Sequence, residues 1–212
     1  DPPERRRPER RRPRQGRLDT VMSPHPPPEV RHLYDDALAT LLSHRGHNDG
    51  QEALRRGFLR TLGDDPAAVS KAGPPAHLTV SCLVLSADAT EVLLHLHAKA
   101  RMWLQFGGHL EASDASLRAG AEREALEESG LGRIDLLPDP IDLDRHQLGS
   151  RFGQCREHLD VRYLAFAPVG AQPESSDESE AVAWFPIEGL PDNMGADLPR
   201  LITVARAVVN RG

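Results

Sequence analysis

The segment Gly107–Leu131, GGHLEASDASLRAGAEREALEESGL, constrains this chain most, because it fixes a turn, a helix and a helix stop within 25 residues. Gly107-Gly108 is a tight-turn signal, Ser113 or Asp114 can cap a helix start, and Gly130 stands where a glycine follows a last helical turn. The helix carries three carboxylates on one face. At about 100° per residue, Glu127 lies about 60° to one side of Glu124 and Glu128 about 40° to the other. Like charges crowded in this way destabilise a helix unless something neutralises them. Arg123, one turn before Glu127, can do part of this, and a hard cation such as Mg²⁺, bound through carboxylates and substrate phosphates, can do the rest. A bare E-x-x-E-E is more often a solvated acidic face. The glycine turn, cap and glycine exit around this one favour a built site.

Length and composition admit one domain of ordinary size plus an appendage: 212 residues, 39% hydrophobic and 27% charged. No apolar run approaches the roughly 20 residues that span a bilayer, and no apolar segment follows the N-terminal arginines, so neither a membrane partner nor a signal peptide is expected. The compartment reads as cytoplasm. Cys82 and Cys155 stand far apart and match no metal-ligand spacing, so both are expected reduced and core-packed. Charge is uneven. Residues 1–21 hold eight arginines against four acids, a net of +4, which leaves −10 for the remainder of a chain whose total is −6. Such a Pro/Arg-rich segment cannot bury enough surface to fold, and residues 1–28 are expected to be a disordered tail. Arginine blocks can bind phosphate as a nucleic-acid arm. A solvated tail, or translated sequence ahead of a start at Met22, accounts for it as well, and the acidic body disfavours a nucleic-acid partner.

Residues 29–72 read as a helical pair. Val30, Leu33, Tyr34, Ala37, Leu38, Leu41 and Leu42 follow the helical period, as do Ala53, Leu54, Gly57, Phe58, Leu59 and Leu62 after a break at 46–50. Two such helices make no core alone and are expected to pack on the main domain; a lid or a homodimer contact are the other uses. Strands then begin: 77–85, 91–97, 102–106, 134–137, 159–167 and 181–185, with an amphipathic helix over 196–209 closing the chain. Alternating strands and helices point to an α/β sandwich on a mixed sheet.

The loop-and-helix unit resembles the Nudix box of the Nudix hydrolases, in which a glycine, five residues, a glutamate and seven residues precede R-E-U-x-E-E-x-G-U, where U is a bulky aliphatic. Arg123 to Leu131 match the second half except for the small Ala125. The first half departs. Counted from Gly108, Asp114 takes the place of the glutamate and Arg123 arrives one residue late, which reads as a one-residue insertion. The likeness covers residues 107–131, and weaker family-like features, including Trp184–Pro191, extend from about His77 to the C terminus.

The resemblance implies an α/β/α sandwich, a Nudix domain over 73–212, and a pyrophosphatase that uses Mg²⁺ or Mn²⁺, two or more ions, to cleave a nucleotide-type diphosphate by water attack on phosphorus. Carried over residue by residue, Glu124, Glu127 and Glu128 are metal ligands, with Glu127 and Glu128 expected exposed at the site. The Gly107 carbonyl is a further ligand, and Arg123 orients the glutamates, a role suited to its planar guanidinium. Glu111 is a secondary metal candidate, and Asp114 either orders the loop or only caps the helix. Many relatives take a general base from a glutamate before a late strand, so Glu178 and Glu180 are candidates, a merely solvated loop being the alternative.

His95, His97, His109 and His158 fall near the expected site, and with Cys155 they can be drawn as a zinc centre, although no tight ligand pairing supports one. His109 can instead touch substrate phosphate, while His95 and His97 share one strand face and suit packing. Trp103 and Phe106 can stack on a base or fill the core. The substrate is not legible: residues 145–149, RHQLG, carry neither the proline of the ADP-ribose type nor the tyrosine of the dinucleoside polyphosphate type. Two readings compete with the hydrolase. One is a Nudix-fold sensor that binds a nucleotide without cleaving it; the other is a protein acting on RNA ends through its arginine arm.

Overall fold

The computed structural model describes residues 25–149, 153–175 and 179–211. Its organising pair is β1 (Ala76–Leu85) and β7 (Glu157–Phe166), parallel and in register from Ala76–Glu157 to Leu85–Phe166. Both strands are buried almost throughout, and alternation sorts their side chains between two cores. Leu78, Val80, Cys82 and Val84 join Leu159, Val161, Tyr163 and Ala165 on one face; Leu83 and Leu85 join Leu164 on the other. Around this pair lie β2 (Glu91–His97), β3 (Met102–Leu104), β4 (Phe106–Gly108), β5 (Asp135–Leu136), β6 (Asp142–Gln147) and β8 (Ser179–Pro186). β2 and β4 divide the length of β1 between them, β3 and β8 pair with β2, and β5 and β6 run antiparallel to β7.

Helices cover both faces. The first core takes α1 (Arg31–Ser43), α2 (Asp49–Asp64) and α3 (Leu117–Ser129) through Leu33, Leu41, Phe58, Leu62, Leu117 and Ala121. The second takes α4 (Leu198–Val209) through Leu198, Leu201, Ile202 and Ala205. The result is the expected α/β/α sandwich on a mixed sheet. Among the described residues no helix is long and apolar enough to cross a membrane.

Polar bonds fix the helical pair against the sheet. The Gln51 amide, buried on α2, both donates to the Leu143 carbonyl and accepts the Leu143 N–H at 2.8 Å, satisfying the outer edge of β6 as a further strand would. Asp36 on α1 accepts the Leu117 N–H at 2.7 Å, and His32 Nε2 lies 2.8 Å from the Asp114 carbonyl oxygen. α1 thus holds the start of α3, where a carboxylate is favoured by the helix dipole.

The structure corrects several expectations. β6 is a strand that its sequence, DLDRHQ, hides: the charged Asp142 and Asp144 face Arg162 on one side, and Leu143 alone is apolar on the other, so there is no apolar alternation to read. Residues 102–106 form not one strand but parts of two, β3 and β4. α3 is capped by Ser116, whose hydroxyl accepts the Ala119 N–H, and not by Ser113 or Asp114. The tail expectation for residues 1–24 lies outside the described residues, but Pro26 is buried and Pro28 opens a 3-10 turn to Val30, so ordered chain begins inside the expected tail.

Candidate active site

Asp114 is the anchor of the charged cluster. Only 5% exposed, it accepts Arg123 Nε at 2.8 Å and Nη2 at 3.0 Å, a two-point grip on the guanidinium. Arg123 Nη1 then reaches Glu124 at 3.0 Å and Glu127 at 3.2 Å, and Nη2 also donates to the His109 carbonyl at 3.1 Å. Burial pushes the Asp114 carboxyl up, but the bonds from Arg123 and from the Glu111 amide outweigh it and hold the group below the usual carboxylate range. The Asp114 bond in turn holds Arg123 firmly in its charged form. Asp114 therefore orders the loop and aims Arg123.

Gly107 and Gly108 bring β4 close to α3. A Cβ on Gly107 would stand 2.5 Å from the Ser81 Cβ and 2.6 Å from the Val80 carbonyl oxygen, so only glycine fits there, and one on Gly108 would stand 2.5 Å from Glu124 Oε1 and displace that carboxylate. The Gly107 N–H donates to Glu128 Oε2 at 2.9 Å, and His95 Nδ1 lies 3.7 Å from Oε1. Burial, then the neighbouring His97, push His95 down to about 4, so a neutral imidazole faces this carboxylate while its Nδ1 contacts the Ser179 hydroxyl at 2.8 Å. Glu128 is 4% exposed, against 61% for the Glu127 side chain. The expectation that both would be exposed is thus corrected: Glu128 sits behind the β4 turn, and Glu127 lies outside it.

The other candidates separate. The Glu111 carboxylate accepts the Ser113 hydroxyl at 3.2 Å, which places it in the turn ahead of α3. Ser179 contacts His95, while Glu180, at the irregularity where β8 shifts register against β2, is exposed and pairs with Arg101 at 3.0 Å. The structure does not bring Glu180 to the carboxylates. Glu178 lies outside the described residues.

Gly107, Gly108 and His95 also line a cavity of about 500 Å³. Its floor is polar: Thr79 and Ser81 from β1 stand beside Asp160 and Arg162 from β7, with both hydroxyls donating to the Asp160 carboxylate at 3.2 and 2.7 Å. Burial opposes the charge on Arg162, but Asp160, Asp197 and Asp144 outweigh it; Nε meets Asp160 at 2.9 Å, Nη2 meets Asp144 at 3.0 Å and Nη1 meets Asp197. None of these was foreseen. The one signal was Arg162 itself, a charge inside the apolar run LDVRYLAFA, which a buried strand tolerates only when paired.

At the far end of the same floor His77 and His158, register partners on β1 and β7, meet His109 and Cys155. Of the histidines first considered together, His95 and His97 therefore stand elsewhere, and His77 enters unforeseen. Cys155 is buried as expected, but beside imidazoles and not in the apolar core that holds Cys82.

A sequence model of the NUDIX domain matches residues 75–204, more than half of the chain. The chain belongs to the Nudix family. Among solved structures this Nudix protein is similar to a NUDIX-family hydrolase from Clostridium perfringens, at 26% identity and a TM-score of 0.52, over 63% of this chain and 97% of that one. It shares its fold with an Ap4A hydrolase of C. elegans, at 15% identity and a TM-score of 0.53, over 64% and 98% of the two chains. No curated protein matches it in sequence. The matched span begins after the helical pair that braces α3.

Proposed function

We propose that this Nudix protein is a metal-dependent hydrolase that cleaves the diphosphate linkage of a nucleoside diphosphate derivative. One observation carries the reading: Glu124 and Glu128 are held against Gly108 and Gly107 at the edge of the cavity, with Arg123 joining Glu124 to Glu127. This all-oxygen donor set fits a hard cation. Glu124, Glu127, Glu128 and the Gly107 carbonyl would hold Mg²⁺ or Mn²⁺, with Glu111 a further candidate. Held there, such a cation would supply charge neutralisation at phosphate oxygens and activation of water.

The chain's own residues supply the rest. The Gly107 N–H fixes the Glu128 carboxylate, and neutral His95 packs beside it without cancelling its charge. Arg123, gripped by Asp114, keeps Glu124 and Glu127 oriented. The cavity has the volume of a nucleotide-sized site, and the exposed Lys99 on its wall suits a phosphate. In the reaction water adds its oxygen to one phosphorus, the bond from that phosphorus to the bridging oxygen breaks, and a base takes the water proton. Glu178 is the proposed base, because many relatives take a base from a glutamate ahead of a late strand and the other candidate, Glu180, is paired with Arg101. The unit proposed is a Nudix domain over 73–212 with the pair at 29–72 as its brace, in the cytoplasm.

Incubation with Mg²⁺ or Mn²⁺ and a panel of nucleoside diphosphate derivatives, nucleoside triphosphates and capped RNA tests the reading, with products separated by chromatography. Cleavage that requires both the metal and Glu128 is the expected result. Ligand binding with no cleavage across the panel would replace the hydrolase with a sensor.

A further inference from the structure

His77, His109, Cys155 and His158 offer ligand atoms that all lie within 4.8 Å of one another. They come from separate places: His77 from β1, His158 from β7, His109 from the residue after β4, and Cys155 from the loop before β7. His109 Nε2 stands 3.1 Å from His77 Nε2 and 3.8 Å from Cys155 Sγ. A tetrahedral zinc ion with Zn–N and Zn–S bonds of ordinary length separates nitrogen pairs by about 3.3 Å and nitrogen–sulfur pairs by about 3.6 Å. The two observed separations are close to these values.

The surroundings also fit a metal. His77 Nδ1 lies 2.8 Å from the Pro74 carbonyl oxygen, which accepts only a protonated Nδ1 and so leaves the Nε2 lone pair turned to the cluster. A backbone carbonyl behind a ring nitrogen is the outer support that metal-bound imidazoles commonly have. His158 Nε2 is buried and makes no hydrogen bond among the described residues. Burial first, then the neighbouring His146 and His77, push His158 down to about 4, so its ring is neutral at neutral pH. Three imidazoles and one thiolate are a donor set typical of four-coordinate structural zinc, whereas the carboxylates of α3 suit a hard cation.

We infer that His77, His109, Cys155 and His158 form a second, structural metal centre that takes zinc in four-coordinate geometry, distinct from the carboxylate site on α3. On binding, the Cys155 thiol gives its proton to solvent, the three neutral imidazoles keep theirs on the nitrogens that do not ligate, and the centre carries a net charge of +1. No side chain of the centre belongs to the carboxylate site, although the His109 carbonyl accepts a bond from Arg123. The centre joins β1, β7 and the β4–α3 loop at one point. It also lies beside the end of β6, where the Leu148 N–H bonds the Arg156 carbonyl and Gln147 and Leu148 line the cavity.

The test uses the full chain without a polyhistidine tag, bearing Glu128→Gln so that the carboxylate site is impaired. Loaded with zinc and desalted, it should keep about one equivalent by elemental analysis, and its Tm should rise with zinc. Cobalt in place of zinc should give a thiolate charge-transfer band and the intense visible bands of a tetrahedral ion. Cys155→Ser and His158→Ala should each weaken zinc at least 100-fold in competition with a chromophoric chelator, and Cys155→Ser should lose the charge-transfer band. Cys82→Ala should keep both. Far-ultraviolet circular dichroism and the zinc-free Tm show whether each variant folds. Less than a tenth of an equivalent of zinc on the folded parent, or a charge-transfer band that survives Cys155→Ser, overturns the proposal.

Discussion

On either side of the Gly108–His109 peptide bond stand two donor groups of opposite character. On one side α3 presents Glu124, Glu127 and Glu128, oxygen donors organised by Arg123 and Asp114. On the other, His77, His109, Cys155 and His158 offer nitrogen and sulfur. The first group is charged and is ordered by ion pairs within one helix and its preceding loop. The second is ordered by the register of two strands 81 positions apart in sequence. The comparison teaches that neighbouring sites can be kept chemically separate by donor type alone: hard cations favour carboxylates, and zinc is readily held by imidazole and thiolate.

The largest expected effect breaks the carboxylate side. Glu128→Gln should lower kcat by more than about 100-fold, since even outer-shell changes at metal sites cost 10–100-fold. Its Tm and zinc content should stay near those of the parent. Near-normal turnover would remove Glu128 from the site.

Asp114→Asn comes next. It removes the charge that grips Arg123 and should lower kcat by roughly 10–100-fold, with a stability loss of about 1–3 kcal/mol in denaturant titration. Unchanged kinetics would make Asp114 a loop residue only. Asp36→Ala sharpens the boundary of the site, because Asp36 meets only the Leu117 N–H of α3 in the Nudix box. A stability loss of about 1 kcal/mol, as for a lost helix cap, with kcat within about twofold of the parent, is expected.

On the histidine side the readout is stability and not turnover. In chelator-treated protein, His95 at about 4, His109 at about 3 and His158 at about 4 are neutral in the fold, yet would take up protons below about 6.5 in the unfolded chain. The unfolded state then binds more protons, so this part of the stability is present above about pH 6.5 and is lost as pH falls toward 4. The urea midpoint should therefore drop between pH 7.5 and pH 5, and zinc should make the drop steeper because protons compete with it. A flat profile in both states would mean that the rings are not held neutral by the fold.

The sequence by itself determined the Gly107-Gly108 turn, the helix after it, and the placing of Arg123, Glu124, Glu127 and Glu128 together. These follow from spacings of one to four residues, and helix geometry converts such spacings into neighbours without help from the rest of the chain. It also determined the sandwich, because apolar periods mark most of the strands and helices. Tertiary structure alone decided which glutamate is buried. Glu127 and Glu128 are adjacent and equivalent in the pattern, and only the passage of β4 over α3 puts Glu128 under the Gly107 N–H and leaves Glu127 outside. It likewise decided that Asp114 aims Arg123, that Asp36 from a helix 81 residues earlier meets the start of α3, and that Arg162 lies among aspartates from three elements. The histidine centre is the extreme case. His77 and His158 meet because β1 and β7 pair in parallel, and a register one residue different would turn one of them to the opposite face. Local spacing carries no trace of that choice, since burial of two apolar faces is what fixes it.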